Sequence, residues 1–318
     1  MPDGSDEKIS VAPIIAAIEA PYLSDLSERD KPWDKHRKNT DKVSAHYRGS
    51  EFNVLADRTS FCSEFLDFRL TPGDEGDLRL KLSTARFCRV RHCPVCQWRR
   101  SLMWKAKAYK VLPQIVEKYP KHRWLFVTLT VKNCPITDLR STLDWMNQSF
   151  KRFTKLKDWP ADGWLKSVEV TRGRDGSAHP HFHCLLMVPP SYFSHGYLSQ
   201  AKWVELWQRC LRIDYEPVMD VQAVKKGEQP MQLIPELLKY CVKESDLVAD
   251  RDWFLELTRQ LHKTRAIATG GVLKQYLREL EQEPEDLIGQ EEESGEPDEG
   301  HLYFGWWRDV KKYKLVDN

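Results

Sequence analysis

WLKSVEVTRGRDGSAHPHFHCLLMV, residues 164–188, is the stretch from which the fold is read. Residues 164–171 and 181–188 are two β-rich runs joined by a glycine-rich turn, Arg172-Gly-Arg-Asp-Gly176, the pattern of an antiparallel hairpin. Alternate side chains of a strand share a face, so His181 and His183 point one way and Phe182 the other. On the preceding strand Glu169 sits between Val168 and Val170, which face away from it. Two imidazoles and a carboxylate on one sheet face make a preformed site for a divalent metal, with positions left for substrate oxygens. His179, at the strand mouth, is either a further ligand or a group behind the ligands. The bland alternative is a polar face turned to solvent, but that leaves three alternating histidines out of only ten to coincidence.

Working outward, residues 124–131 (WLFVTLTV) and 218–224 read as further strands. Helical spacing of apolar residues predicts helices over 97–118, 138–156 and 199–211, and a shorter one over 235–243. Two short apolar runs at 65–70 and 78–82, separated by TPGDEGD, suggest another hairpin. The fold class is therefore α+β, with a central, mainly antiparallel sheet flanked by helices and an N-terminal zinc-binding segment. The expected organisation is a flexible region over 1–55, a zinc-binding segment and helix over 56–120 and a core over 121–262. A C-terminal helix over 263–280, an acidic disordered segment over 281–300 and an aromatic-basic segment over 301–318 complete it.

Eight cysteines in 318 residues are too few for a disulfide scaffold, but three fall within nine residues. Cys88, Cys93 and Cys96 offer three thiolates for structural zinc, and Cys62 is the expected fourth, with His92 and His46 as substitutes. A redox-active CxxC is the competing reading. Arg89, Arg91, Arg99 and Arg100 surround the cluster and are expected to face phosphates. Taken at face value, the overall formal charge of +2 argues against a strong nucleic-acid partner. It is an average of unlike parts. Residues 86–174 hold 20 Lys/Arg against 6 Asp/Glu, net +14, whereas residues 279–299 hold 11 Asp/Glu and no Lys/Arg. With no apolar run of about 18 residues, no membrane partner is expected. The acidic start of the chain does not resemble a signal peptide, so a cytoplasmic location is expected.

In ELLKYCVKESD, residues 236–246, a helix would put Glu236 and Tyr240 on one face at i and i+4, with Lys239 and Lys243 near a bound phosphate. Read alone, such a pair is usually a surface pair. Together with the histidine strand, this segment resembles the third motif of the HUH endonucleases, most closely the plasmid rolling-circle replication initiator (Rep) family. HPHFHCLL (179–186) resembles the family's metal-binding motif and FVTLTVKN (126–133) its first motif. The likeness also takes in FCRVRHCPVCQWRR (87–100) and YLSQAKWVELW (197–207). The resemblance implies a DNA nickase and strand transferase in which Tyr240 is the nucleophile and Glu236 assists termination. It implies Mg2+ or Mn2+ at His181 and His183, to which the strand reading adds Glu169, together with structural Zn2+. Implied partners are double- and single-stranded plasmid origin DNA, a host helicase and a host polymerase; no oligomeric state follows. Cys62 departs from the pattern, being followed by Ser63 where glycine is expected. Competing readings are an HUH transposase, a metal-dependent phosphodiesterase using water alone, and a non-catalytic zinc module that binds DNA. The last leaves the histidine strand idle.

Overall fold

The β-rich runs at 124–131, 164–171 and 181–188 do produce a sheet. The computed structural model describes residues 22–72, 78–225, 228–239, 241–282, 284, 286–288 and 300–316. In chain order the longer helices are α1 (Pro32–Tyr47), α2 (Asn53–Ser60), α3 (Pro94–Lys118), α4 (Leu139–Phe153), α5 (Gln200–Leu211) and α6 (Arg251–Gln260). The strands are β1 (Phe65–Pro72), β2 (Leu78–Ala85), β3 (Arg123–Thr130), β4 (Gly163–Arg172) and β5 (Ala178–Val188). They are followed by β6 (Met219–Ala223), β7 (Ile267–Gly271), β8 (His301–Trp307) and β9 (Lys312–Leu315). The chain divides into two compact units, Met1–Arg99 with Asp286–Asn318, and Arg100–Glu285. Among the described residues no helix is long and apolar enough to cross a membrane.

The second unit holds a five-stranded antiparallel sheet in the order β6-β3-β5-β4-β7. One face packs on α4 and α5: Phe182 meets Phe150 edge-on at 6.2 Å, and Phe153 contacts Trp203 and Trp207 at 5.8 and 5.5 Å. The other face is divided along the strands. At one end Phe126, Leu165, Leu185 and Met187 form a core with Trp104, Leu112 and Ile115 of α3. At the other end the same face carries Thr128, Thr130, Glu169, His181 and His183. Apolar burial thus anchors the rows next to the polar site.

In the first unit β2, β1, β8 and β9 form an antiparallel four-stranded sheet, so the aromatic-basic end of the chain returns beside β1. The expected flexibility of residues 1–55 does not hold for residues 22–55; residues 1–21 lie outside the described residues. Helix α1 is folded, and it was concealed because its buried positions include His36, Arg37, Thr40 and Ser44 beside Trp33, Val43 and Tyr47. Arg37 is buried by donating to Asp41 at 2.5 Å and to the Ser60 carbonyl at 2.7 Å. The expected division at residue 120 also moves, to Arg99/Arg100.

The helix expected over 263–280 is instead β7 followed by a single turn, Lys274–Leu277. Gly270 and Gly271 decide this. A Cβ at Gly270 would lie 2.2 Å from the Trp164 ring, and Gly271 has φ +57. The acidic segment over 281–300 is folded where it is described: Glu281 accepts from the backbone and side chain of Thr269, and Leu287 is buried. Residues 283, 285 and 289–299 lie outside the described residues.

Lys166, on the face covered by α4, is 4% exposed. Its ammonium lies 3.8 Å from the Phe182 ring centroid and donates to Asn147 Oδ1 at 2.6 Å. Burial pushes its pKa down from 10.5 to about 8. Between those values the unfolded chain binds a proton that the folded chain lacks, so this lysine's cost is full below pH 8 and fades as pH rises to 10.5. Lys166→Met is therefore expected to stabilise the protein at pH 7, on the order of 1–3 kcal/mol, with the gain shrinking above pH 8. Thermal denaturation across pH checks this; a lower midpoint for the variant at pH 7 contradicts it.

Candidate functional site

Strand register assembles the site. Glu169 pairs with His181 and Ser167 with His183 across β4–β5, while Thr130 pairs with His181 and Thr128 with His183 across β3–β5. Paired residues share a face, so these side chains form two adjacent rows. His181 Nε2 and His183 Nε2 lie 2.7 and 2.8 Å from one oxygen, Glu169 Oε2, and all three residues are buried. Nδ1 of His181 faces the His179 carbonyl at 3.3 Å, and Nδ1 of His183 faces Thr128 Oγ1 at 3.3 Å. Such outer partners orient an imidazole and reserve Nε2 for a ligand. Two imidazole nitrogens and a carboxylate oxygen converging on one point are a donor set suited to a divalent ion. His179 lies outside this group, its ring 5.3 Å from that of His181, and serves it through its backbone oxygen.

Burial alone would raise the Glu169 carboxyl. Hydrogen bonds from His181, His183 and Lys239 outweigh it and hold the group well below the ordinary carboxylate range. Lys239 Nζ donates to Glu169 Oε2 at 2.9 Å and also bonds Glu236, so one ammonium links the two carboxylates.

The helix expected over 235–243 stops after one turn, Ile234–Leu237. Leu238 leaves the helical region at φ −110 and ψ 30, and its carbonyl accepts from Ser101 Oγ at 2.8 Å. Beyond it Cys241 O accepts from Val170 N at 2.8 Å, on an edge of β4 where pairing with β7 ends at Ser167. Lys239 and Cys241 therefore both contact β4 at consecutive residues, Glu169 and Val170. Tyr240, between them, lies outside the described residues. Lys243 is exposed and precedes the short helix Glu244–Ala249.

In the other unit Cys62, Cys88, Cys93 and Cys96 cluster with all four sulfurs within 4.8 Å of one another. Cys62 is thus the fourth member, and neither His46 nor His92 is. Three sulfur pairs stand at 3.6 Å. A tetrahedral ion with sulfur bonds of about 2.3 Å sets its ligands about 3.8 Å apart, so the spacing fits one. Burial pushes the Cys62 and Cys88 thiols up, a cost that a bound cation would remove. The Cys88 and Val90 amides point at Cys62 and Cys88 sulfurs at 3.4 and 3.5 Å. Ser63 adopts φ 50, the region that favours glycine, and Tyr313 holds it there by donating to its carbonyl at 2.5 Å.

Arg99 and Arg100 are buried rather than turned to phosphate. The Arg99 guanidinium donates to the Leu287 and Ile288 carbonyls at 2.7 Å each and lies over the Trp33 and Trp98 rings. Arg89 is exposed and Arg91 half-buried.

The replication protein family matches residues 79–314 of the chain. The chain belongs to that family. A "Protein rep" of Lactiplantibacillus plantarum is 37% identical over 279 residues, covering 82% of this chain and 86% of that protein. Another, from Streptococcus pneumoniae serotype 2, is 33% identical over 276 residues, covering 83% and 85%. A "Replication protein" of Staphylococcus aureus is 31% identical over 228 residues, 66% of this chain and 97% of that protein. No solved structure matches the chain.

Two participants in these sites carry no motif of their own, Ser101 beneath Leu238 and Tyr313 beside Ser63, while Thr128 behind His183 lies within the first-motif stretch but was given no role there. Cys62→Ser is expected to remove one equivalent of tightly bound metal per chain and to lower the unfolding midpoint, whereas His92→Gln should retain the metal. Elemental analysis of the purified proteins checks both, and full metal content in Cys62→Ser contradicts the assignment.

Proposed function

We propose that the protein is a plasmid rolling-circle replication initiator that nicks origin DNA through Tyr240. One observation carries the reading: the buried convergence of His181, His183 and Glu169 lies beside the two residues that bracket the tyrosine. Lys239 bonds Glu169, and Cys241 bonds Val170. The family membership adds the replication context.

The Tyr240 hydroxyl oxygen attacks the scissile phosphorus, and the bond from phosphorus to the 3′ oxygen breaks. The products are a 5′-phosphotyrosyl protein and, once the leaving oxygen takes a proton, a free 3′-OH from which a host polymerase extends. A phosphotyrosine conserves the diester bond for later rejoining. Mg2+ or Mn2+ held by His181, His183 and Glu169 would stabilise charge developing on the nonbridging oxygens. Lys239, 2.9 Å from Glu169, is placed to contact the same phosphate. Glu236 is exposed and tied to Lys239; it serves as general base, for the tyrosine or for the water that ends the reaction. At the cysteine cluster the proposed ion is Zn2+. Cys62, Cys88, Cys93 and Cys96 would hold it as a closed four-thiolate site, which would order the fold and leave no position for substrate. A host helicase would open the duplex, and the exposed Arg89 and Lys243 are proposed to contact its phosphates.

Incubated with a single-stranded origin oligonucleotide and Mn2+, the wild-type protein is expected to form a covalent adduct that Tyr240→Phe abolishes. Free nicked product without adduct overturns the tyrosine mechanism in favour of water. His181→Ala and His183→Ala should each reduce cleavage by at least about a hundredfold while duplex binding persists; loss of binding as well assigns them a structural role instead. Glu236→Ala should form the adduct and hydrolyse it slowly, and normal turnover would remove Glu236 from the scheme.

A further inference from the structure

The sheet of the first unit has a face that the nicking chemistry does not use. Its inner residues, Leu66, Phe68, Leu302, Phe304 and Trp306, are buried. Its outer face exposes aromatic rings: Phe65 is 65% exposed, Trp307 48% and Tyr303 39%. Soluble proteins rarely leave several large rings on one surface without a use for them.

Register orders this face into rows. Tyr303 pairs with Asp67, and Phe65 pairs with Gly305, which in turn pairs with Lys314. Phe65 and Tyr303 are thus diagonal neighbours, about 7–8 Å apart, close to twice the 3.4 Å rise of successive bases. The Phe65 ring lies against the sheet over Gly305, 3.4 Å from where a Cβ would stand. Beside these two rings a groove of about 460 Å³ is lined also by Phe61, Thr84, Arg86 and two carboxylates, Asp67 and Glu64, the latter contacted by Arg308 at 3.0 Å.

Charge accompanies the rings. Lys81 pairs with Arg69, and Lys312, which also bonds Asp25 at 3.4 Å, pairs with Trp307, while Lys314 Nζ lies 4.6 Å from the Trp307 ring. Among the described paired positions of this face the sole carboxylate is Asp67, which His301 contacts at 2.6 Å. Flat aromatic rings among cations match a polyanion whose planar bases are unpaired, because a duplex keeps its base faces stacked inside.

We propose that this face of the four-stranded sheet is a stacking platform for single-stranded DNA, with Phe65 and Tyr303 each taking one base and the surrounding cations the backbone. The assignment stands apart from the nicking reading, since it concerns the other unit and needs neither Tyr240 nor an origin sequence.

The test uses the full chain and a fluorescein-labelled twelve-residue oligo-dT, read by fluorescence anisotropy without added Mg2+ or Mn2+. Phe65→Ala with Tyr303→Ala is expected to weaken binding at least tenfold, and Phe65→Trp with Tyr303→Trp to retain it. Binding to a twelve-base-pair duplex should change less than twofold. Wild-type affinity in an alanine variant that melts like the parent overturns the proposal, as does an equal loss for duplex. Should the alanine variant fail to fold, 5-iododeoxyuridine photocrosslinking of the wild type decides. Adducts on Phe65, Tyr303 or Trp307 support the platform, and adducts confined to residues 100–285 overturn it. A dimer seen by light scattering that Phe65→Ala dissolves would likewise overturn it, by making the face a contact between copies.

Discussion

One oxygen atom, Glu169 Oε2, receives His181, His183 and Lys239 within 2.9 Å. A buried carboxylate is costly unless its partners replace the water it has lost. Here the partners come from an adjacent strand and from the segment leading to Tyr240, so a single charge couples the strand register to the path of a distant stretch of chain. A slip of β5 by one residue would turn both histidines to the opposite face and leave Glu169 without them. The apolar half of the same face guards against that slip, because Leu185 and Met187 must meet Trp104 and Leu112 of α3.

What could be read in advance follows from where periodicity is undisturbed. HPHFHC alternates cleanly, so the hairpin, the shared face of His181 and His183, and the opposite face of Phe182 all follow from strand geometry. The cysteine spacing likewise located a cluster, including Cys62. Helix α1 was hidden because buried Arg37 and His36 also rest on groups far away in sequence, the Ser60 carbonyl and the Trp98 ring, which no local pattern records. Arg99 and Arg100 looked like surface charge for a similar reason: the carbonyls that hold Arg99 belong to Leu287 and Ile288.

The segment around Tyr240 shows local propensity yielding to tertiary demand. ELLKYCVK reads as helix, yet the backbone leaves the helix at Leu238 because two longer-range needs are met instead. Ser101 takes the Leu238 carbonyl, and Cys241 satisfies an edge amide of β4 at Val170. The i, i+4 argument for Glu236 and Tyr240 therefore lapses. A different coupling replaces it, running from Glu236 through Lys239 to Glu169. The helix expected over 263–280 yields in the same way, because Gly270 and Gly271 admit the Trp164 ring and a left-handed turn that a helix could not.

The central claim is that His181, His183 and Glu169 form one cation site. Crystals soaked in Mn2+ and measured at the manganese absorption edge test it most directly. The account predicts an anomalous peak bonded to His181 Nε2, His183 Nε2 and a Glu169 oxygen. Manganese bound elsewhere, with this trio unliganded, would contradict it.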